Sequence, residues 1–269
     1  MASIFSLTAL LLYLGASVTL VRGLLSGVRD TRARRFDLLL AYMAVIAHGL
    51  SLAPALLLEQ APNFALGNTV SLIAFLVMML FLVARLFQPV HALGVMIFPS
   101  AFIGVAIAWL TPGPEYAIHL DGAAGLMHMT GAGLAYALLS LALAQAVLLH
   151  FYDRRLKNRQ TSGIWNSLPP IQTMEQILFQ LVYVGFALLS LTLISGALSS
   201  GQMFGQAFLF NHHTVLAVLA WVSLVALILG RHFLGWRGQI AILWTGAGFV
   251  LLGLGYFGTR FVLEVILRA

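Results

Sequence analysis

The sequence predicts an all-α polytopic membrane protein, a bundle of about eight transmembrane helices with both termini external. Hydrophobic residues make up 61% of the 269-residue chain and charged residues 8%, a composition far from that of a soluble domain. The apolar residues form runs of about 20, the length that crosses roughly 30 Å of hydrocarbon at 1.5 Å per helical residue. Twelve of the fourteen Lys and Arg residues lie in alternate gaps between these runs.

The apolar runs follow one another along almost the whole chain. Few residues are left for a soluble portion, so we expect a single transmembrane domain over residues 1–269. The predicted spans lie near residues 3–22, 37–58, 67–86, 93–112, 123–150, 171–199, 212–231 and 239–259.

The polar gaps differ in charge. The gaps between the basic ones carry Glu59, Glu115 and Asp121 and no Lys or Arg. Because basic loops stay on the cytoplasmic side, this alternation predicts the external termini. The net charge of +6 then indicates topology and attraction to anionic lipid headgroups, not nucleic-acid binding. The basic gaps contain Arg22, Arg29, Arg32, Arg34 and Arg35; Arg85; Arg154, Arg155, Lys157 and Arg159; and Arg231 and Arg237.

Three loops carry local signals. Pro112 and Pro114 prevent a helix in the loop after the fourth span. The longest basic loop, 153–170, ends in Pro169-Pro170, which favours the start of the sixth helix. The segment 235–238, Gly-Trp-Arg-Gly, predicts a rigid interfacial turn with positive φ at both glycines, and partner docking is the alternative.

His48 lies near the middle of the second span, among small residues at helical spacing. An ionisable group at this depth is costly and normally faces the bundle interior or a ligand. Two interpretations stay open: a functional role towards a cofactor, or a neutral imidazole that is hydrogen-bonded to a neighbouring helix.

Three further histidines begin helices at one depth, His128 on the fifth span and His212 and His213 on the seventh. Imidazoles on two helices can approach one point, and haem iron accepts two axial nitrogens from opposite faces. Zinc is the competing metal, but no carboxylate or thiol lies nearby in sequence, and the chain has no cysteine. Helical register favours His213 over His212. His119, in the preceding external loop, is a further candidate that could instead be solvated.

Four ordered segments together resemble the cytochrome c assembly superfamily of membrane haem-handling proteins, of CcsA- and HemX-like type, and look closest to its YpjD-like inner-membrane branch. The resemblance covers most of residues 115–265 and implies an assembly-like core at about 65–265. The segments are Ile118-His119-Leu120-Asp121 with Leu126-Met127-His128-Met129; Tyr152-Asp153-Arg154-Arg155-Leu156-Lys157; Leu168-Pro169-Pro170 with Gly185-Phe186 and Ser195-Gly196; and His212-His213-Thr214-Val215 with Gly235-Trp236-Arg237-Gly238 and Gly255-Tyr256-Phe257-Gly258.

The resemblance implies that His128 and His212 are axial haem ligands near the external face, in disagreement with the register argument for His213. One residue of register is within the error of a helix boundary, so His212 is preferred here. Full assembly proteins carry a Trp-rich external loop that presents haem, and the loop 200–208 of this chain has no tryptophan. This departure argues against ligase activity and affects haem binding less. Phe204, Phe208 and Phe210 could instead line a haem edge or face lipid.

The sequence therefore predicts a multi-pass inner-membrane protein of cytochrome c biogenesis that binds haem b non-covalently. Its expected partners are haem, membrane lipid and other membrane or cytochrome-maturation proteins. No nucleophile–base constellation or phosphate-binding loop is present in the sequence, which disfavours a conventional enzyme. The alternatives are a haem-free scaffold or regulator of a partner complex, and a transporter of haem or another small hydrophobic solute.

Overall fold

The computed structural model describes residues 2–26, 31–58, 62–111, 122–159, 163–204, 212–262 and 266. Within these ranges the chain is helical and contains no strand, as the all-α prediction requires. The long helices are α1 (Ala2–Leu25), α2 (Thr31–Ala53), α3 (Leu66–Phe87), α4 (Gly94–Leu110), α5 (Gly122–Lys157), α6 (Ile171–Phe204), α7 (His212–Phe233) and α8 (Gln239–Gly253).

Eight helices among the described residues are long and apolar enough to cross a membrane, which confirms the predicted number of spans. Two of them continue into π-helical segments, Pro54–Leu58 after α2 and Leu254–Gly258 after α8, and a short α-helical segment, Thr259–Phe261, follows the second. Short 3₁₀ turns lie at His91–Leu93 and Gly163–Ser167.

Helix α5 is longer than predicted. It reaches Lys157, so Arg154 and Arg155 lie in its last turn and not in a loop. Nothing in residues 150–157 breaks a helix, and cations are favourable at a helix C-terminus because the helix dipole is negative there. Beyond this end, Trp165 stacks on the buried Tyr152 with 6.3 Å between ring centroids. The guanidinium of Arg155 lies 5.8 Å from the centre of the same Trp165 ring.

Contacts divide the chain into two compact units, of which the first comprises residues 1–118 and 151–174. Here α1 packs against α2 and α4, and α3 packs against α4. The α3–α4 contact depends on small residues, because a Cβ atom at Gly104 would lie 2.6 Å from the Cβ of Ala74. Helices in lipid approach closely at such positions.

A buried ion pair joins α2 to α3 in this unit. Arg85 Nη2 donates to both carboxylate oxygens of Asp37, at 3.0 and 3.2 Å, and the two side chains are 8% and 2% exposed. The sequence indicated only a topological role for Arg85. The fold gives it a counter-ion from the start of the preceding helix.

The second unit comprises residues 119–150 and 175–269, and its helices α7 and α8 pack against each other. The Tyr136 hydroxyl of α5 donates to the backbone carbonyl of Leu252, at 2.6 Å, just before α8 widens into its π-helical segment. Aromatic contacts of Tyr136 with Tyr256 and Phe257 extend this junction. Each unit is compact by itself, and the single domain over residues 1–269 stays a prediction.

The turn between α7 and α8 has the predicted backbone, with φ of 66° at Gly235 and 58° at Gly238. Trp236 stacks on Trp244 of α8, with ring centroids 5.6 Å apart, and its ring lies against Gly230, where a Cβ atom would collide with it. Glu175 Oε1 accepts a hydrogen bond from Gly238 N at 2.8 Å, which ties the turn to α6. Contacts with α8 and with α6 therefore both hold the turn in place.

Candidate functional site

His128, near the start of α5, is held by a serine of α6. Its Nδ1 lies 3.0 Å from Ser195 Oγ, and Ser195 Oγ in turn donates to the backbone carbonyl of Thr192 at 3.0 Å. A hydroxyl has one proton and two lone pairs. With the Ser195 proton on the Thr192 carbonyl, Oγ can accept from an Nδ1–H of His128. In the neutral imidazole this tautomer leaves a lone pair on Nε2, the form in which histidine coordinates metals.

Small residues bring α5 and α6 together at this point. A Cβ atom at Gly196 would lie 2.9 Å from Cε1 of His128, and one at Gly131 would lie 3.3 Å from Oγ1 of Thr192. Any larger side chain at Gly196 would displace the imidazole. Gly131 of α5 and Gly196 of α6 therefore allow the two helices to approach closely beside His128.

His212 and His213 begin α7, and both are exposed. His213 lies within electrostatic range of the imidazoles of His212 and His128. Its ring also packs edge-on against Tyr256, with 6.0 Å between centroids. His128 and His213 thus belong to one neighbourhood, to which α5, α6, α7 and the end of α8 all contribute.

Glycine at position 255 lets the end of α8 approach His213 closely. A Cβ atom there would lie 3.4 Å from the His213 carbonyl oxygen and 3.6 Å from its Nδ1. Deeper along α7, Trp221 stacks on Phe186 with centroids 5.6 Å apart, and its Nε1 donates to Ser190 Oγ at 2.8 Å. Gly255 is therefore a close backbone neighbour of His213, whereas the contacts of Trp221 lie about two turns further along α7.

Sequence reasoning gave no role to Ser195, Thr192 or Gly196, although Ser195-Gly196 belongs to the segments that carry the family resemblance. The signal was a small hydroxyl residue followed by glycine, with Ser195 four residues before the predicted end of an apolar span at residue 199. The sequence does not show which helix Ser195 and Gly196 face.

The side chains present limit which metal ion or metal cofactor this site could bind. Over the described ranges, no group of three or more His, Cys, Asp or Glu side chains is arranged to hold a metal ion. Two imidazoles are the axial set of a haem, whose other four nitrogens belong to the macrocycle. His119 lies outside the described residues, as do Phe208, Phe210 and the side chain of Phe204.

His48, in the first unit, has both ring nitrogens engaged. Nδ1 lies 3.1 Å from the Tyr13 hydroxyl and Nε2 lies 2.9 Å from Ser71 Oγ. The residue is fully buried, and Phe75 packs edge-on against it. With no nitrogen left for a ligand in this arrangement, the contacts favour the interpretation of His48 as a packing residue that links α1, α2 and α3.

Comparisons with known proteins agree with this architecture. The family model described as "Cytochrome C assembly protein" matches residues 37–267. The inner membrane protein YpjD of Escherichia coli (strain K12) is 29% identical over 266 residues, which cover 98% of this chain and 99% of that protein. An uncharacterised 28.8 kDa protein of Azospirillum brasilense is 25% identical over 272 residues, 98% of each chain.

A partial match extends to proteins with a named role. The cytochrome c biogenesis protein CcsA of Prochlorococcus marinus (strain AS9601) is 28% identical over 156 residues, 51% of this chain and 50% of that protein. No solved structure matches the chain. With eight helices able to cross a membrane and a family match over residues 37–267, the chain is a multi-pass inner-membrane protein that belongs to the cytochrome c assembly family.

Proposed function

We propose that this protein is a haem-handling membrane protein of cytochrome c biogenesis, which binds haem b non-covalently near the N-terminal ends of α5 and α7. The observation that supports this most is the hydrogen bond between Nδ1 of His128 and Ser195 Oγ. It leaves Nε2 of the same ring to bind iron. His213 lies within electrostatic range of the same imidazole and is the proposed second ligand. The name of the partly matching CcsA protein supports the biological setting.

The residues at this site fit the group. Two imidazoles from different helices can supply the two axial positions, and Gly196 and Gly255 keep the backbone close to each ring. Tyr256 and Tyr136 add an aromatic wall at the end of α8. The family resemblance favours His212 as the second ligand, whereas the contacts of His213 with Tyr256 and Gly255 support His213.

The chain's own residues would bind and orient the group. When bound, haem supplies an iron centre that can accept and release an electron. Ser195, itself bonded to Thr192, holds the His128 ring, and Tyr256 packs edge-on against the His213 ring. The predicted external position of the site is supported by Arg231 at the opposite end of α7 and Arg237 in the turn that follows, because basic residues favour the cytoplasmic side.

The test is an absorption spectrum of detergent-purified protein after loading with haem and extensive washing. We expect a retained Soret band of a low-spin, six-coordinate iron. His128→Ala and His213→Ala should each open a coordination position, shift the band and weaken retention. His232→Ala is the matched control, since it removes an exposed imidazole from the other end of α7 and should change nothing.

Two results would change the proposal. If wild-type protein retains no haem, the haem-free scaffold or regulator becomes the better interpretation. If His212→Ala changes the spectrum and His213→Ala does not, the second ligand is His212, as the resemblance implies.

A further inference from the structure

We infer that Ser195 is a positioning residue of this site, which fixes His128 as its Nδ1–H tautomer and thereby presents the Nε2 lone pair to an iron centre. The part that concerns iron rests on the proposed function. The tautomer itself is a property of the protein alone, so it can be measured without any ligand.

Counting donors and acceptors separates the two tautomers. With the proton on Nδ1, the imidazole donates to Ser195 Oγ and the hydroxyl donates to the Thr192 carbonyl, so both donors have acceptors. With the proton on Nε2, Ser195 would have to donate to Nδ1 and give up its bond to Thr192. The Nε2–H would then need a new acceptor in a half-buried, mostly apolar place, where an unsatisfied donor is costly.

The residue next to Ser195 on α6 also shapes the space in which the ring lies. Gly196 follows Ser195 in α6 and leaves room for Cε1 of His128, where a Cβ atom would lie at 2.9 Å. Two neighbouring residues of one helix therefore act on one ring, Ser195 through its hydroxyl and Gly196 through its missing side chain.

The consequence for a bound iron follows from ligand chemistry. A histidine that donates its second N–H to an acceptor is a more basic ligand and is held in one orientation. A more basic ligand stabilises the oxidised metal, so loss of Ser195 should raise the reduction potential of bound haem. Outer-shell substitutions of this kind typically weaken metal-group affinity by about 10–100-fold.

The first measurement uses the ligand-free protein in detergent, with ¹⁵N-labelled histidine and His128 assigned by comparison with His128→Gln. We expect a protonated Nδ1 and an unprotonated Nε2 in the wild type. Ser195→Ala should shift a measurable share of His128 to the Nε2–H form, and Ser195→Thr, which keeps the hydroxyl, should restore the wild-type pattern. Ser190→Ala is the matched control, because it removes a hydroxyl of the same helix that bonds Trp221 and not His128.

The second measurement uses haem-loaded protein. Ser195→Ala should raise the reduction potential and weaken haem retention by about 10–100-fold, while Ser195→Thr and Ser190→Ala stay close to the wild type. Failure of the wild type to retain haem would overturn the proposed function. The tautomer measured in the ligand-free protein would not be affected. A wild-type His128 protonated on Nε2, or a tautomer ratio that Ser195→Ala leaves unchanged, would overturn the inference whatever the haem result.

Discussion

At the scale of single residues, His48 shows how a buried imidazole serves packing. Its two nitrogens bond to Tyr13 and Ser71, on helices to either side of it in the sequence. Interhelical hydrogen bonds in membranes contribute about 0.6 kcal/mol on average and at most about 1.7. We therefore expect His48→Leu to lower the free energy of unfolding in detergent by about 1–3 kcal/mol, and Tyr13→Phe to lower it by about 0.6.

The control for this prediction is Tyr42→Phe, which removes a hydroxyl from a tyrosine on α2 that is 42% exposed. It should leave the unfolding curve unchanged. The haem spectrum, if the protein binds haem, should be the same in all three variants. A His48→Leu protein as stable as the wild type, or one that loses the haem spectrum while folded, would contradict the packing role.

At the scale of elements, the α7–α8 turn is held by contacts with the helices on either side of it. Trp236 stacks on Trp244 and covers Gly230, and its carbonyl accepts from Arg231 Nη1 at 3.2 Å. Truncating a buried tryptophan costs about 3–5 kcal/mol, and Trp236 is half-buried, so we expect Trp236→Ala to cost about 2 kcal/mol. The amount of folded protein in the membrane fraction should fall accordingly.

Phe233→Ala provides the comparison, because Phe233 lies three residues away and is 74% exposed. It should accumulate like the wild type. A Trp236→Ala protein that accumulates and unfolds normally but has lost its activity would instead identify the turn as a docking surface for a partner.

At the scale of the whole molecule, the charge pattern makes a prediction about sidedness. Eight spans bring both termini to one side, and the alternating basic segments favour the external side for them. A reporter fused after Ala269 should therefore behave as periplasmic, and the same reporter fused after Arg159 should behave as cytoplasmic. Cytoplasmic activity of the fusion after Ala269 would contradict the predicted orientation.

The sequence by itself determined the number and position of the spans, because both depend on local properties. In lipid every backbone polar group must be satisfied within its own segment, so an apolar run of sufficient length becomes a helix whatever surrounds it. The main deviation, the extension of α5 to Lys157, occurred where the chain offers no helix breaker and where cations suit a helix end. The family resemblance could also be found from the sequence alone, because it rests on short segments in a fixed order.

Only the tertiary structure decided what the polar groups inside the bundle do. Asp37 and Arg85 are 48 residues apart and form one buried ion pair, and His128 meets Ser195, 67 residues away. The sequence left the role of His48 open because a packing imidazole and a ligating one occupy the same kind of position in an apolar helix. The difference lies in which atom of a distant helix approaches each ring nitrogen, and that is set by how the helices pack, not by their composition.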